Sequence, residues 1–385
     1  MMNFDYFNPV KILFGEGKIA EISNEIPKNA KILITYGGGS IKRNGVYTQV
    51  MKALADFNVI EFGGIEPNPK FETLVKAIKY AREEKVDFLL SVGGGSVLDG
   101  TKFIAAAIHF DGDPWKILSG GKEAVIEKAV TIGAVLTLPA TGSEMNSGAV
   151  ISRESTQEKF AFGSPLLYPK FSVLDPKVTF SLPTNQIANG VVDAFVHTTE
   201  QYLTFPAQAL IQDRWAEGVM QTLIEVGPQA LANPLSYDVR ANLMWSCTTA
   251  LNGIISVGVP TDWATHMIGH ELTAIFGLDH AVTLAIVLPS LLRETRGEKK
   301  QKLLQYGQRV WGIEVGTEEM KIEEAIERTE QFFRSLGLKT KLSEHNITKE
   351  QLKPIVERFE KRGWKLGEMK TITSDRIEKI LYAAL

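Results

Sequence analysis

The sequence predicts a chain of two parts, a parallel α/β sheet followed by an all-helical region. Short β-rich runs alternate with segments of helical periodicity up to about residue 180. From Asn185 to Leu385 the hydrophobic pattern is almost wholly helical, and 385 residues are many for a single core. We therefore expect a doubly wound α/β domain over residues 1–182 and an all-α domain over residues 183–385.

Five strands and three helices are predicted in the first part. The strand candidates are rich in β-branched and aromatic residues: Lys11–Phe14, Lys31–Tyr36, Val59–Phe62, Phe88–Val92 and Thr131–Leu138. The helix candidates carry apolar residues at helical spacing: Tyr47–Phe57, Glu72–Glu84 and Val97–Phe110. Strands joined through helices form a parallel sheet, which binds its ligands at the carboxyl ends of the strands.

Prolines divide the second part, because a proline inside a helix removes a hydrogen bond and usually ends the helix. We expect breaks at Pro206, Pro228, Pro260 and Pro289. Four amphipathic, charge-rich helices are predicted at the end of the chain: Glu298–Arg309, Glu318–Leu336, Lys349–Arg362 and Ser374–Ala384. Their charges are typical of solvated helix faces, so we assign them no chemistry.

Composition excludes several classes of protein. A net charge of −3 argues against nucleic acid or an anionic membrane as partner. The N-terminal residues lack the pattern of a signal peptide, and no apolar run approaches the ~20 residues of a membrane span. Cys247 is the only cysteine, which rules out an intrachain disulfide, and its helical context favours a buried thiol over a nucleophile. A cytoplasmic protein is expected.

A glycine triplet follows the strand Phe88–Val92. Gly93–Gly95 and Ser96 lead directly into a helical pattern. Glycines at such a turn let the backbone approach a pyrophosphate, while the helix N-terminus supplies N–H donors. A tight turn would explain one glycine but accounts less well for three. The spacing is not the usual G-x-G-x-x-G, yet it favours a dinucleotide-binding, Rossmann-like domain.

A second triplet, Gly37–Gly39, follows the strand Lys31–Tyr36. Dinucleotide-binding folds often carry an acidic residue at this point for the ribose 2′-hydroxyl, but residues 32–47 contain no Asp or Glu. Backbone donors, a hydroxyl and positive charge stand there instead, from Gly38, Ser40, Lys42 and Arg43. This pattern favours a 2′-phosphate and so NADP(H) over NAD(H), although Lys42 and Arg43 are equally typical of a solvated helix start.

Three further stretches are candidates for ligand contact. Asn68 lies between two prolines, which fix its presentation or simply make a turn. Residues 137–148 end the last predicted strand and are rich in hydroxyls and amides, as in a loop that holds a polar ligand or caps a helix. Lys159 lies on an alternating, strand-like run and points either inward or to water.

Four of the six histidines lie between residues 197 and 280. Asp193 precedes His197 by four residues and His266 precedes His270 by four, a spacing that puts each pair on one helix face. His280 follows a turn that contains a glycine. Any one of these histidines is compatible with an ordinary core or surface position, but their clustering indicates a Zn²⁺ or Fe²⁺ site.

Together these motifs resemble the iron-containing (group III) alcohol dehydrogenases, and among them the bacterial NADPH-dependent aldehyde reductases and butanol dehydrogenases. The resemblance covers essentially the whole chain. It rests on three groups of residues: Gly93–Ser96 with Asp99 and Lys102; Thr141–Glu144; and Asp193, His197, His266, His270 and His280. It implies the dehydroquinate synthase-like architecture, with a dinucleotide-binding α/β domain, an all-α domain that holds one divalent metal, and an active site in the cleft between them.

The resemblance also implies roles for individual residues. The metal ligands would be Asp193, His197, His266 and His280, with His270 near the substrate. We take His270, or a water relay through a ribose hydroxyl, as the candidate proton donor, since histidine titrates near neutral pH. The positions that would contact the cofactor are Gly38, Gly39, Ser40, Asn68, Gly94, Gly95, Ser96, Asp99, Thr137, Thr141, Asn146 and Lys159.

The expected activity is reversible hydride transfer between NADP(H) and a small-molecule primary alcohol/aldehyde pair, with iron or zinc as Lewis acid. A homodimer is expected. Three alternatives stay open: the same chemistry with NAD(H), a lyase of the dehydroquinate synthase type, and a non-catalytic metal- or nucleotide-binding protein. A phosphate- and carboxylate-bearing lyase substrate would demand several cations near the metal, but residues 185–290 offer only Arg214 and Arg240.

Overall fold

The computed structural model describes residues 1–120 and 124–385. These residues form two compact units that do not follow a single cut in the sequence. The α/β unit consists of Phe7–Pro183 and Pro234–Thr248. The helical unit consists of Met1–Tyr6, Thr184–Asn233 and Thr249–Leu385. The main boundary therefore lies at residue 183, and one later helical segment belongs to the α/β unit.

A six-stranded parallel sheet forms the α/β unit. Its strands are β1 (Lys11–Phe14), β2 (Lys31–Thr35), β3 (Asn58–Phe62), β4 (Phe88–Gly94), β5 (Thr131–Leu138) and β8 (Phe171–Leu174). The strand order is β1-β8-β5-β4-β2-β3, and every neighbouring pair is parallel. The five predicted strands and the parallel arrangement are confirmed. Between β5 and β8 the chain forms a separate antiparallel hairpin of β6 (Gly148–Arg153) and β7 (Glu158–Gly163).

Helices cover both faces of the sheet. The helices of this unit are α1 (Ser40–Arg43), α2 (Val46–Ala53), α3 (Phe71–Glu83), α4 (Gly95–Ala107), α5 (Lys116–Ser119) and most of α8 (Tyr237–Ala250). Successive strand residues point to opposite faces, so Leu33 and Leu89 join one apolar core while Ile32 and Leu90 join the other. A strand buried on both faces reads as a continuous apolar run, as β2 and β4 do.

The helical unit contains the remaining helices. These are α6 (Thr184–Tyr202), α7 (Leu210–Ala232), α9 (Ala264–Phe276), α10 (His280–Thr295), α11 (Lys300–Trp311), α12 (Glu318–Ser335), α13 (Lys349–Arg362) and α14 (Ser374–Ala383). Helix α10 packs against both α6 and α9. This packing brings the histidine-bearing helices together. Among the described residues, no helix has both the length and the apolar character that crossing a bilayer requires.

Two of the predicted helix breaks are wrong. Pro206 and Pro260 lie between helices, as expected, but Pro228 lies inside α7 and Pro289 inside α10. An interior proline costs about 3 kcal/mol of helix stability. Around Pro289 the helix is buried on nearly every side, including Leu288. Tertiary burial therefore outweighs the local preference at this position.

Candidate metal centre and nucleotide-binding edge

Three helices of the helical unit position the predicted metal residues. Asp193 and His197 lie one turn apart on α6, and His266 and His270 lie one turn apart on α9. Gly277 ends α9 in a left-handed conformation with φ of +69°, and the chain then turns into α10, whose first residue is His280. The predicted helix faces and turn are thus present, and they meet at one point in the unit.

The carboxylate of Asp193 is the centre of this cluster. Its Oδ1 lies 3.5 Å from His197 Nδ1, 3.9 Å from His266 Nε2 and 3.7 Å from His280 Nε2. One possible ligand atom from each of Asp193, His266 and His280 lies within 4.8 Å of the other two. These three residues are the tightest group, and together they offer one oxygen and two nitrogens.

His197 and His270 flank that group. The ring of His197 stacks on the ring of His266, with centroids 4.5 Å apart and planes inclined by 23°. The ring centroid of His270 lies 5.4 Å from that of His280. The ring of Trp263 lies on one side of the cluster in a T-shaped arrangement with those of His197 and His266, at centroid distances of 6.2 and 5.5 Å. The structure therefore brings together all five residues that the sequence analysis singled out here.

Two ring nitrogens in the cluster have the character of metal ligands. Nδ1 of His197 and Nε2 of His266 are buried and form no hydrogen bond with the described part of the chain. A buried polar atom without a hydrogen bond costs free energy unless another partner satisfies it. A divalent zinc or iron ion prefers imidazole nitrogen and carboxylate oxygen. The residues present fit such an ion.

Burial and neighbouring charge set the protonation of the two stacked histidines. Burial lowers the pKa of His197 to about 4, despite the nearby carboxylate of Asp193. Burial acts in the same direction on His266, but there the negative charges of Glu200 and Asp193 and the hydrogen bond to Glu200 outweigh it and raise the pKa to about 9. His197 is consequently a neutral imidazole at neutral pH.

Glu200 is a site residue that the sequence analysis missed. It lies on α6, and its carboxylate is hydrogen-bonded to Nδ1 of His266. The other carboxylate oxygen accepts a hydrogen bond of 2.6 Å from the backbone N–H of Thr265. The signal was available, because Glu200 follows Asp193 by seven residues and so lies on the same helix face.

The predicted nucleotide-binding loops lie at one edge of the sheet in the α/β unit. The loops after β2, β4 and β5 follow adjacent parallel strands, so all three lie at carboxyl ends. Gly39, with φ of +84°, precedes α1, and α4 begins at Gly95. This is the edge at which open α/β sheets bind ligands.

Packing requires glycine in the triplet of residues 93–95 but leaves space at Gly38 in the other triplet. A Cβ atom on Gly95 would lie 2.3 Å from Oγ1 of Thr141, so α4 and the loop after β5 approach each other only with glycine there. A Cβ atom on Gly94 would lie 3.0 Å from Leu138. In contrast, a Cβ atom on Gly38 would meet nothing within 4 Å. The number of glycines in residues 93–95 is thus explained partly by packing.

Two hydrogen bonds link three predicted cofactor residues in series. Nζ of Lys159 donates a hydrogen bond of 2.8 Å to Oδ1 of Asn68. The backbone N–H of Asn68 in turn donates to Oγ of Ser96 at 3.3 Å. Lys159 is only 5% exposed, which decides that it points inward from β7 and not to water. The Asn68 loop is therefore joined both to the hairpin and to the glycine turn.

Other predicted cofactor residues hold the loop after β5 in place. The Asp99 carboxylate accepts hydrogen bonds from Oγ of Ser143 at 2.7 Å and from the backbone N–H of Val150 at 2.9 Å. The Asn146 side chain accepts from Gly148 N–H and donates to the carbonyl oxygen of Gly142. Thr137 is buried near the end of β5. Asp99 and Asn146 thus have structural partners that the sequence did not reveal.

The positive charge predicted near the second triplet is partly neutralised. Nζ of Lys42 forms an ion pair of 2.8 Å with Glu61 on β3 and lies between the rings of Tyr36 and Tyr47. Residues 32–47 contain no carboxylate, but the adjacent strand supplies one. Lys42 is therefore engaged within the protein, which leaves Gly38 and Ser40 as the better candidates for phosphate contact.

Comparison with known proteins identifies the family of this chain. The family model for iron-containing alcohol dehydrogenase matches residues 9–176, and the model for the C-terminal part of the Fe-containing alcohol dehydrogenase family matches residues 187–385. NADPH-dependent aldehyde reductase YqhD of Escherichia coli is 57% identical over 388 residues, which cover 100% of both chains. NADH-dependent butanol dehydrogenase A of Clostridium acetobutylicum is 40% identical over 99% of both chains.

Solved structures give the same result. The crystal structure of E. coli YqhD matches with a TM-score of 0.98 at 56% identity, covering 100% of this chain and 99% of that one. The structure of NADH-dependent butanol dehydrogenase A from Thermotoga maritima matches with a TM-score of 0.94 at 37% identity, with the same coverage. The predicted fold class and family are confirmed. The chain belongs to the iron-containing alcohol dehydrogenase family.

Proposed function

We propose that this protein is a metal-containing alcohol dehydrogenase that reduces aldehydes with NADPH. The observation that carries the proposal is the group of Asp193, His266 and His280, whose candidate ligand atoms lie within 4.8 Å of one another. The 57% identity to an NADPH-dependent aldehyde reductase over the whole chain supports the cofactor and the direction of the reaction. A cytoplasmic location and a homodimer belong to the same proposal.

The metal would be held by Asp193, His197, His266 and His280. Iron and zinc both accept three imidazoles and a carboxylate, so the donor set is compatible with either ion. When bound, the metal polarises the carbonyl oxygen and the nicotinamide supplies the hydride. The low pKa of His197 keeps that imidazole in the neutral form that ligation needs.

Residues of the α/β unit would bind and orient the dinucleotide. Backbone N–H groups of the glycine turn that opens α4 would contact the pyrophosphate. Gly38, Gly39 and Ser40 would contact the 2′-phosphate beside the carboxyl end of β2. Lys159, through its hydrogen bond to Asn68, would hold that loop against the ligand. These contacts fix orientation, which is the protein's main contribution to hydride transfer.

Aldehyde reduction also needs a proton at the product oxygen. We assign its delivery to a ring nitrogen of His270, which is 5% exposed and lies next to His280 in the cluster. A histidine close to the reacting oxygen is suited to this transfer because imidazole exchanges protons near neutral pH. Replacement of His270 by alanine with an unchanged kcat and pH profile would remove this assignment.

Two alternatives are the use of NADH in place of NADPH and a lyase reaction of the dehydroquinate synthase type. Three relatives at 40–41% identity bear the names of NADH-dependent or "probable NADH-dependent" butanol dehydrogenases, so the ratio of kcat/KM for NADPH and NADH decides between the cofactors. A lyase of the dehydroquinate synthase type has weaker support. Arg240 is buried in the α/β unit and donates to the carbonyl oxygen of Pro234, and Arg214 is exposed on α7.

The test is an absorbance assay of NADPH oxidation against a panel of linear and branched aldehydes. We expect aldehyde-dependent oxidation, with NADPH preferred over NADH. Binding of NADPH without any aldehyde-dependent oxidation would instead support a non-catalytic nucleotide-binding protein. Light scattering of the eluting protein on a size-exclusion column tests the homodimer separately.

A further inference from the structure

The buried carboxylate of Glu200 stands directly behind one of the proposed metal ligands. We propose that Glu200 is a positioning residue that fixes the tautomer of His266, so that Nε2 presents its lone pair to the metal. This inference rests on the proposed function, because it concerns the ion that His266 would help to hold. It adds a residue to which the ligand pattern itself assigns no role.

The hydrogen bonds of the carboxylate determine where the proton on His266 resides. An ionised carboxylate can only accept hydrogen bonds, so its contact with Nδ1 requires the proton to be on Nδ1. The opposite nitrogen, Nε2, is then free of a proton when the ring is neutral. Nε2 is the atom that lies 3.9 Å from Oδ1 of Asp193. A carboxylate partner on the far ring nitrogen is the usual way in which proteins orient a metal-binding histidine.

Glu200 is itself held firmly. Its side chain is 2% exposed, and its second oxygen accepts a hydrogen bond of 2.6 Å from the backbone N–H of Thr265. Its own carbonyl oxygen accepts a hydrogen bond of 2.9 Å from the backbone N–H of Asp262. Glu200 therefore contacts the start of α9 through both its side chain and its backbone, which leaves the carboxylate little freedom to rotate.

A buried ion pair extends this support. One oxygen of Asp262 accepts the N–H of Ala264 at the start of α9, and the other lies 2.8 Å from Nζ of Lys299. Lys299 is 3% exposed and also pairs with Glu368. The segment that carries His266 is consequently anchored before the helix begins. Such outer contacts are what hold a ligand in the geometry that its ion requires.

The isosteric variant Glu200→Gln reverses one hydrogen bond while keeping the shape. The N–H of Thr265 needs an acceptor, so the amide oxygen must face it and the amide NH₂ must face His266. Nδ1 would then become the acceptor and the proton would move to Nε2. A protonated nitrogen cannot bind a metal ion. The variant should therefore lose metal affinity without losing the fold.

Glu271 provides a matched control. It is a second buried glutamate near the cluster, five residues after His266 on α9, and its carboxylate binds Arg358 and Arg362. The variant Glu271→Gln also removes a buried negative charge from the same unit, but it does not change the hydrogen bond to His266. Any effect of lost charge or helix stability alone should appear in this variant too.

The experiment measures Zn²⁺ affinity of the full-length, metal-free proteins by competition with a chromophoric chelator. We expect Glu200→Gln to bind Zn²⁺ about 10–100 times more weakly than the wild type, and Glu271→Gln to bind within about threefold of it. The thermal unfolding midpoint of metal-free Glu200→Gln should stay close to the wild-type value. Wild-type affinity in folded Glu200→Gln, or equal losses in both variants, would overturn the inference.

A second measurement uses only the wild-type protein, so it does not depend on the folding of a variant. NMR spectra of the Zn²⁺-loaded protein with ¹⁵N-labelled histidine should show His266 protonated on Nδ1. A proton on Nε2 would overturn the inference. Failure of the wild type to bind either Zn²⁺ or Fe²⁺ is a different result, because it would contradict the proposed function itself.

Discussion

The buried ammonium of Lys102 donates a hydrogen bond of 2.7 Å to the carbonyl oxygen of Ser143. It also reaches the carbonyl oxygens of Asn146 and Gly148, both at 2.8 Å. One side chain from α4 thus organises the whole loop after β5, on which several of the proposed dinucleotide contacts lie. The sequence motif contains Lys102, but its spacing does not reveal this role.

Replacing Lys102 with methionine should destabilise the α/β unit. Asp99 and Glu144 lie near the ammonium, and burial raises the pKa of both carboxyl groups. Removal of one partner from a buried charged network typically costs about 3–5 kcal/mol. We expect urea unfolding at pH 7 to show a loss in that range. The exposed variant Lys79→Met should lose less than about 0.5 kcal/mol.

The stability difference between the wild type and Lys102→Met should also depend on pH. Burial lowers the pKa of Lys102 from 10.5 to about 8. The unfolded chain therefore binds more protons than the folded one between these two values, so this group stabilises the fold above pH 10.5 and loses that contribution as pH falls through 8. The stability of the wild type relative to Lys102→Met should rise by about 3 kcal/mol over this window. A difference that falls with pH would contradict the assignment.

Replacing Gly38 with aspartate should shift cofactor preference toward NADH. A Cβ atom at this position meets nothing within 4 Å, so the side chain can be added without a clash. Its carboxylate would repel a 2′-phosphate, and we expect the NADPH/NADH ratio of kcat/KM to fall about tenfold, or about 1.4 kcal/mol. The neutral variant Gly38→Asn separates charge from size. An unchanged ratio in Gly38→Asp would remove the role proposed for this glycine.

Replacing either Asp193 or His280 with alanine should abolish metal binding and activity. Each contributes an atom to the group of three that lies within 4.8 Å. Loss of a direct ligand should weaken metal affinity by more than the ~10–100-fold that is typical of outer contacts. NADPH binding, measured by fluorescence, should persist. Exposed His109 offers the control His109→Ala, and full metal content in either ligand variant would break the assignment.

Cys247 should not react with thiol reagents in the native protein. Its thiol is fully buried in α8, and reactivity requires an accessible thiolate. A thiol-specific reagent such as Ellman's should label no cysteine until the chain is unfolded, and then label one. Cys247→Ala should keep its kcat. Rapid labelling of the native enzyme with loss of activity would instead support a role for Cys247 as a nucleophile.

Much of the fold was predictable from local pattern. Strands β1 and β5 and helix α13 have the bounds that the sequence predicted. Both strands are apolar runs followed by a turn, and α13 shows a helical period after a capping residue. The four-residue strand β8 was too short to show a period. Pro289 was misread because burial of α10 outweighs the local cost of proline.

Contacts between distant segments could not be predicted in the same way. Helical periodicity places Asp193 and His197 on one face, but it does not show which core α8 packs against, and residues 234–248 belong to the α/β unit. The hydrogen bond of Glu200 to His266 joins residues 66 positions apart. The pairing of Lys42 with Glu61 likewise depends on the neighbouring strand. Tertiary structure alone supplies these partners.

Metal-dependent catalysis is tested by the rate of aldehyde-dependent NADPH oxidation before chelation, after removal of metal, and after Zn²⁺ or Fe²⁺ is added back. We expect that metal removal abolishes oxidation but preserves NADPH binding, and that one equivalent of metal restores the rate. Metal-free protein that still oxidises NADPH at the full rate would contradict it.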